Sequence, residues 1–305
     1  MSSLIEQAAE RLEQLRQAGA EMPATPPVAQ TLGAAQETVS EAQPAPLSRR
    51  VEIDLEALAA EGIVSPNAPR SQIADQFRVI KRPLIRNAMG KGASVIAHGN
   101  LIMVTSALAG EGKTFAAINL AMSMATELDY TVMLVDADVP RPSVMKVLGL
   151  PEGPGLLDLV LGESQDMSSM LLKTNIDKLT ILPIGTPHAR ATELLASDAM
   201  IRLLDEMANR YPDRIIVFDS PPLLLATEAR VLASHMGQVV VVVQAGRTLQ
   251  SEVRQALATI EACPVKLMLL NQARTVSKGG YGYGYGYGYG YGPGLSTSKP
   301  DYPRH

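Results

Sequence analysis

The stretch Leu101-Ile-Met-Val-Thr-Ser-Ala-Leu-Ala-Gly-Glu-Gly-Lys-Thr114 decides how this chain folds. Leu101–Thr105 is a short, unbroken apolar and β-branched run, which predicts a buried strand. Gly110 and Gly112 interrupt it, and helical patterning follows over Lys113–Leu128. The order is therefore strand, glycine-rich turn, helix. In that setting Gly-Lys-Thr reads as a phosphate cradle. The glycines let backbone N–H groups approach an anion, and the helix N-terminus adds a favourable dipole. Lys113 is placed to reach β- and γ-phosphates, and the Thr114 hydroxyl to ligate Mg²⁺. The loop from Ala109 through Gly110, Glu111, Gly112, Lys113 and Thr114 to Phe115 is the candidate cofactor-binding segment. Ala107 stands where the simple pattern has its first glycine.

Outward from this stretch, strands and helices alternate. Val132–Asp136, Leu179–Leu182, Ile215–Asp219, Val239–Gln244 and Val265–Leu270 read as further strands. Helical stretches include Thr192–Arg210, Thr227–Ser234 and Leu249–Glu261. Val/Ile-rich strands alternating with helices predict an α/β fold: a mostly parallel sheet with helices on both faces. Ligands of such sheets sit at the carboxyl ends of the strands.

Two more motifs fall at those ends. Val132-Met-Leu-Val-Asp-Ala-Asp-Val-Pro-Arg141 closes a strand with Asp136 and Asp138. Charge at a buried strand end is costly without a partner, and a metal-bound triphosphate supplies one. An aspartate turn paired with Arg141 is the plainer alternative. Ile215-Ile-Val-Phe-Asp-Ser-Pro-Pro222 ends in Asp219, which fits a Walker B carboxylate holding Mg²⁺. The constellation implies ATP or GTP with Mg²⁺. It does not separate a kinase from an ATPase switch.

Of 305 residues, 46% are hydrophobic, enough for one large domain with extensions. The net charge of -4 gives no sign of a nucleic-acid binder. A single cysteine, Cys263, excludes an internal disulfide framework, and the four histidines lack ligand spacing. No apolar run approaches the roughly 20 residues of a membrane span, so a cytoplasmic chain reaching a membrane through a partner is expected. Residues 1–19 hold a short amphipathic helix, with Ser3 and Glu6 as a capping box and Leu4, Ile5, Ala8, Leu12 and Leu15 on one stripe. It packs on its own domain or docks a partner. Residues 20–50, rich in Ala, Pro, Gln and Thr, read as a flexible linker. The compact domain is expected over 51–275, and 276–305 is tail.

That tail reads Tyr281-Gly-Tyr-Gly-Tyr-Gly-Tyr-Gly-Tyr-Gly-Tyr291. The first 280 residues contain only Tyr130 and Tyr211, yet six tyrosines alternate with glycine here. Glycine at every second position gives high backbone entropy and little apolar area to offset it, so disorder is expected. Tyr281, Tyr283, Tyr285, Tyr287, Tyr289 and Tyr291 are either a sticky low-complexity end or a row of acceptors.

In order, these motifs resemble the bacterial tyrosine kinase family, the soluble autokinase type of exopolysaccharide systems. The resemblance covers about residues 70–291. The family's Gly-Glu-Gly-Lys-Ser/Thr is matched by Gly110 to Thr114. Its apolar run with Asp-x-Asp and a nearby arginine is matched by Asp136, Asp138 and Arg141, and its Asp-Ser/Thr-Pro-Pro by Asp219 to Pro222. A C-terminal tyrosine cluster completes the match. The resemblance implies a P-loop NTPase fold of the partitioning-ATPase class, with ATP and Mg²⁺ as cofactors. It implies autophosphorylation of the tail tyrosines, in trans within a ring. Lys113, Asp136, Asp138 and Asp219 are the implied catalytic residues, with Thr114, Asp138 and Asp219 around the metal and Asp136 accepting the tyrosine proton. Implied partners are further copies of the chain, a chain-length-determinant-type membrane activator and a cognate phosphotyrosine phosphatase.

Upstream, Asp75-Gln-Phe-Arg78-Val-Ile-Lys81 resembles the family's Glu-x-x-Arg-x-x-Arg oligomerisation segment. Asp75 and Lys81 depart from it, bidentate geometry is lost at Lys81, and Arg82 stands ready to substitute. Asn271 ends the last strand where related folds read the base, although asparagine is also ordinary turn chemistry there. Partitioning and division-site ATPases are the competing reading. They carry a signature lysine where this chain has Leu108, and they lack a tyrosine repeat. An ATP-binding scaffold without phosphotransfer is the other alternative.

Overall fold

The computed structural model describes residues 49–66, 71–162, 167–210 and 213–273. The expected N-terminal helix, nearly all of the linker and all six tail tyrosines lie outside the described residues. The chain opens with β1 (Arg49–Arg50), α1 (Leu55–Ala60), α2 (Gln72–Ala88), β2 (Leu101–Ser106), α3 (Lys113–Ala125) and β3 (Thr131–Asp136). Next come α4 (Val144–Val147), α5 (Leu156–Leu161), α6 (Met167–Met170), β4 (Leu172–Lys173) and β5 (Leu179–Leu182). It closes with α7 (Ala191–Leu195), α8 (Asp198–Arg210), β6 (Arg214–Asp219), α9 (Thr227–Ser234), β7 (Gln238–Gln244), α10 (Gln250–Ala258) and β8 (Val265–Asn271).

The strands form one sheet in the order β1-β4-β5-β3-β6-β2-β7-β8. All pairings are parallel except β4 with β5. Side chains alternate between two cores, as strands buried on both faces require. Ile102 and Val104 face one core, where α2 and α3 contribute Phe77, Leu84, Ile118 and Met122. Leu101 and Met103 face the other, where α5, α7, α8 and α9 contribute Leu156, Leu195, Leu204 and Leu232.

Local chemistry sets several boundaries. Asp54 caps α1 by accepting from the N–H groups of Glu56 and Ala57, and Ser71 caps α2 through Ala74 N–H. The helix expected over 192–210 is two helices. Ser197 Oγ donates to Leu194 O (2.7 Å) and accepts from Met200 N (3.3 Å), ending α7 and starting α8. The helix expected to reach Leu128 stops at Ala125, where the Thr126 hydroxyl turns back onto Ser123 O (2.8 Å). The compact domain also starts earlier than residue 51. Arg49 and Arg50 pair with Leu172 and Lys173, and Val51 N continues the ladder to Lys173 O (2.8 Å).

The parallel strands point their carboxyl ends the same way. The phosphate loop leaves β2 there, between β6 and β7. Register places Asp136 directly beside Asp219, and Gln244 beside Asn271. Among the described residues no helix is long and apolar enough to cross a membrane.

Candidate active site

The loop between β2 and α3 needs its glycines for conformation and for space. Gly110 and Gly112 have φ of +85° and +90°, in the left-handed region that L side chains avoid. At Gly112 a Cβ would also come within 2.1 Å of Asn271 Nδ2. Asn271 takes that place because its amide donates to Glu111 O (2.9 Å). The asparagine expected to read a base therefore also ties the end of β8 to the phosphate loop.

Glu111 does not present its carboxylate to the phosphate side. It is 2% exposed and accepts from Leu108 N (2.6 Å), from the Thr248 hydroxyl and from Gln244 N (3.4 Å). A negative charge inside a phosphate loop is tolerable because it is turned inward and bonded. Its contribution to the loop is its backbone and this brace to the β7–α10 connection. Ala109 is exposed at the loop tip, and Phe115 packs half-buried against the core under α2.

Lys113 Nζ forms an ion pair with Asp138 Oδ2. The Thr114 hydroxyl donates to Asp219 Oδ2 (2.6 Å), so the neighbouring Ser143 hydroxyl, 3.0 Å away, is the donor in the contact between the two. Asp136 accepts from Asp138 N (3.2 Å), Ser143 N (3.1 Å) and Val144 N (3.0 Å), which folds the 137–144 loop over the strand end. Arg141 is exposed. Its backbone N–H, not its guanidinium, meets Asp138 (3.3 Å), so the Asp turn paired to the Arg141 side chain is not what forms.

Burial dominates the electrostatics. It raises the Asp219 carboxyl to about 7, with Lys113 and the Thr114 hydroxyl pulling down and Asp136 and Asp138 pushing up. It raises Asp136 to about 6 against the N–H bonds of Val144 and Asp138. Asp219 Oδ1 is buried and has no hydrogen-bond partner among the described residues. An orphaned carboxylate oxygen beside a threonine hydroxyl fits a hard divalent cation, which takes oxygen ligands. Thr114, Asp138 and Asp219 are the residues that would hold it. No three His, Cys, Asp or Glu side chains converge as a protein-only cage among the described residues. Mg²⁺ bound with a nucleotide does not need one, because the phosphates supply ligands.

The segment expected to mediate assembly divides. Asp75 and Arg78 pair at 2.6 Å on an exposed face of α2. Lys81 points inward, 3% exposed. Its ammonium reaches Glu127 Oε1 (2.8 Å), Thr126 Oγ1 (3.2 Å) and Ser123 O, pinning α2 to the end of α3. Burial lowers the Lys81 pKa. Burial also pushes Glu127 up, but the Lys81 ammonium outweighs it and holds the carboxyl below its ordinary value. Lys81 thus serves the protomer's own packing, and the exposed cation beside it is Arg82. Ser143, Gln244 and Thr248 were not legible as site residues. Ser143 follows a proline turn with no motif of its own, and Thr248 meets Glu111 from 137 residues away.

Residues 99–271 match the model of the AAA domain family. The tyrosine-protein kinase YwqD of Bacillus subtilis is 30% identical over 206 residues, 68% of this chain and 83% of that protein. The chain belongs to the bacterial tyrosine kinase family. The kinase domain of VpsO superposes with a TM-score of 0.57 at 26% identity, covering 66% of this chain and 95% of that one. The succinoglycan biosynthesis transport protein ExoP of Rhizobium meliloti is 30% identical over 70% of this chain, which spans only 27% of ExoP. Membership makes the activity that of a protein-tyrosine kinase on a P-loop NTPase fold. Where the competing partitioning-ATPase reading needs its signature lysine, the chain has Leu108.

Proposed function

We propose that this kinase transfers the γ-phosphoryl group of ATP to the tyrosines of its own tail, between copies of the chain, and that the modification regulates exopolysaccharide assembly and export. One observation carries the reading. Lys113, Thr114, Asp136, Asp138 and Asp219 converge at the strand ends, and the tail, from residue 276, begins five residues beyond Asn271, which touches the phosphate loop. About ten residues separate that root from mid-repeat, an r.m.s. span on the order of 17 Å and a reach of roughly 35 Å.

In this reaction the Oη–P bond forms, the bond from the γ-phosphorus to the bridging oxygen breaks, and ADP leaves. Mg²⁺, when bound, would neutralise charge developing on the transferred group. Lys113 adds positive charge at the loop mouth, and Asp138 holds that ammonium in place. Thr114 and Asp219 offer the cation a hydroxyl and a free carboxylate oxygen. Asp136 is the proposed proton acceptor. Its carboxylate has about four acceptor sites, and three are occupied by N–H groups, leaving one. A pKa near 6 suits proton transfer at neutral pH. Asn271 and Arg141 flank the proposed nucleotide, and Asp75 and Arg78 the proposed contact between copies. A chain-length-determinant-type membrane protein as activator, a peripheral inner-membrane location and a cognate phosphatase complete the proposal. The name and length of ExoP support the polysaccharide setting.

The test is purified full chain with ATP and Mg²⁺, with phosphate mapped by mass spectrometry. Lys113→Met and truncation after Gly280 are the controls. Phosphate on residues 281–291 that both changes abolish is the expected result. ATP hydrolysis with an unmodified tail, even with a membrane activator present, would establish an ATPase switch instead.

A further inference from the structure

Among the described residues β8 is an edge strand of the sheet, and it is unusually bare for one. It runs seven residues without proline, and its one charge is Lys266. Natural edge strands of this length are commonly shortened, charged or covered, because unpaired N–H and C=O groups invite another strand. Here Met268 and Leu270 are 66% and 64% exposed on one face of that edge. With Val243, Val253 and Leu257 they line an apolar groove of about 540 Å³ against α10. The groove on the opposite face reaches Phe115 and Asn271, so part of it belongs to the proposed nucleotide site. The α10 side meets the site only at its end, through Gln244 and Thr248, which brace Glu111.

We propose that the β8 edge is a docking surface for the chain's own tyrosine–glycine repeat, which pairs with it as an antiparallel strand. Three features select this occupant. The first is tethering. Residue 274 follows β8 almost at once, and Gln272 leaves the strand with φ of 57°, a left-handed conformation that turns the chain. A connection of nine residues, 272–280, reaches an antiparallel neighbour, whereas a parallel one calls for a crossover of about a dozen or more.

The second feature is period. Residues 281–291 alternate tyrosine and glycine without a break, so an extended repeat carries every tyrosine on one face. Placed over Met268 and Leu270, the rings cover the exposed apolar side chains, while the glycine face adds no bulk toward α2. The third is register. A repeat of period two slips by two residues into an equivalent pairing, so several alignments place tyrosines opposite Met268 and Leu270.

The geometry has a consequence for the acceptors. β8 ends at the phosphate loop, so an antiparallel tail runs away from it. At about 3.3 Å per residue, six residues of pairing carry a tyrosine roughly 20 Å from the Asn271 corner. Docked tyrosines are withheld from the site, and undocked ones are free to reach it.

Hydrogen exchange on the nucleotide-free full chain tests this, and reads pairing whether or not the tail is ever phosphorylated. Two variants probe the two sides of the contact: all six tail tyrosines to serine, and Met268→Lys with Leu270→Lys. Both are expected to speed exchange over 265–271 and over the repeat by roughly tenfold, as loss of two or three cross-strand pairs would. Identical exchange over 265–271 in the wild type and the six-serine variant would overturn the proposal. So would protection that rises with protein concentration, which would assign the edge to a second copy.

Discussion

Replacing Gly112 with alanine tests whether the end of β8 and the phosphate loop are one mechanical unit. The residue sits at φ +90°, and its new Cβ would meet Asn271 Nδ2 at 2.1 Å. A non-glycine residue in the left-handed region costs about 1–2 kcal/mol. The close contact is with the tip of a side chain, so Asn271 swings away and its bond to Glu111 O is lost, at about 0.5–1.5 kcal/mol. Gly112→Ala is therefore expected to cost roughly 2–3 kcal/mol. Gly110→Ala has the same backbone strain at φ +85° but open space around it, and should cost only about 1–2 kcal/mol. Asn271→Ala removes the bond alone, at about 1 kcal/mol. In the double variant Gly112→Ala/Asn271→Ala the bond cannot be lost twice. Its cost should fall short of the sum by about 1 kcal/mol, a coupling well above the few tenths typical of independent sites. Urea unfolding of nucleotide-free protein measures all four without interference from ligand. Strict additivity, or equal cost at positions 110 and 112, would refute the reasoning.

Stability of the Mg²⁺-free, nucleotide-free protein should fall as pH rises from about 4 to 7. Asp219 and Asp136 titrate near 7 and 6 when folded but near 3.8 when unfolded, so the folded state binds more protons across that window. Asp219→Asn should flatten the decline in a pH series of urea melts, and an unchanged slope would count against the assignment. Lys81→Met is expected to cost roughly 1–3 kcal/mol, because it strands Glu127 and unpins α2, while the exposed pair loses little in Arg78→Ala. Urea melts read the stability difference, and sedimentation should show the opposite ranking for assembly. Phosphorylating four tail tyrosines adds roughly -6 to -8 charges. Residues 276–305 otherwise balance Lys278, Lys299 and Arg304 against Asp301. The phosphorylated chain should sediment as a smaller species than the dephosphorylated one, and equal sizes would contradict the repulsion.

The central strands were legible because they are buried on both faces and so read as unbroken apolar runs. Leu179–Leu182 is observed as expected, and the other predicted strands gain only a residue at one end. β1 and β4 were not legible, since two residues carry no periodicity. Asp136 and Asp219 were legible because each ends such a run, where an unpaired carboxylate needs a reason, and Asp138 because it follows Asp136 by two. What stayed hidden depends on long-range contacts. Lys81 looked like a surface charge on a helix. Only the fold brings Glu127, Thr126 and Ser123 O to it and makes an interior ammonium affordable. Glu111 looked like a phosphate-side residue because its neighbours are. Its inward turn depends on Thr248 and Gln244, from a loop that local sequence does not connect to it.

Those same contacts define the corner from which the tail continues. Glu111 binds the loop after β7 through its side chain and the end of β8 through its carbonyl. Gln272 adds a bond to Gln244 (2.6 Å), so the last residues of the described chain are anchored to the phosphate loop and to the end of β7. A tail rooted on a separate element would vary in its distance from the donor with every motion between elements. Rooted here, the chain enters the tail from Gln272, held beside the phosphate loop that carries Lys113 and Thr114. The variable left to control is then where the repeat rests: along the bare edge of β8, leading away from the loop, or free to reach a site at the strand ends. A change at Met268 or Leu270 should therefore alter tail exchange without disturbing the Asn271 contact. A change at Asn271 should loosen the root without removing the edge.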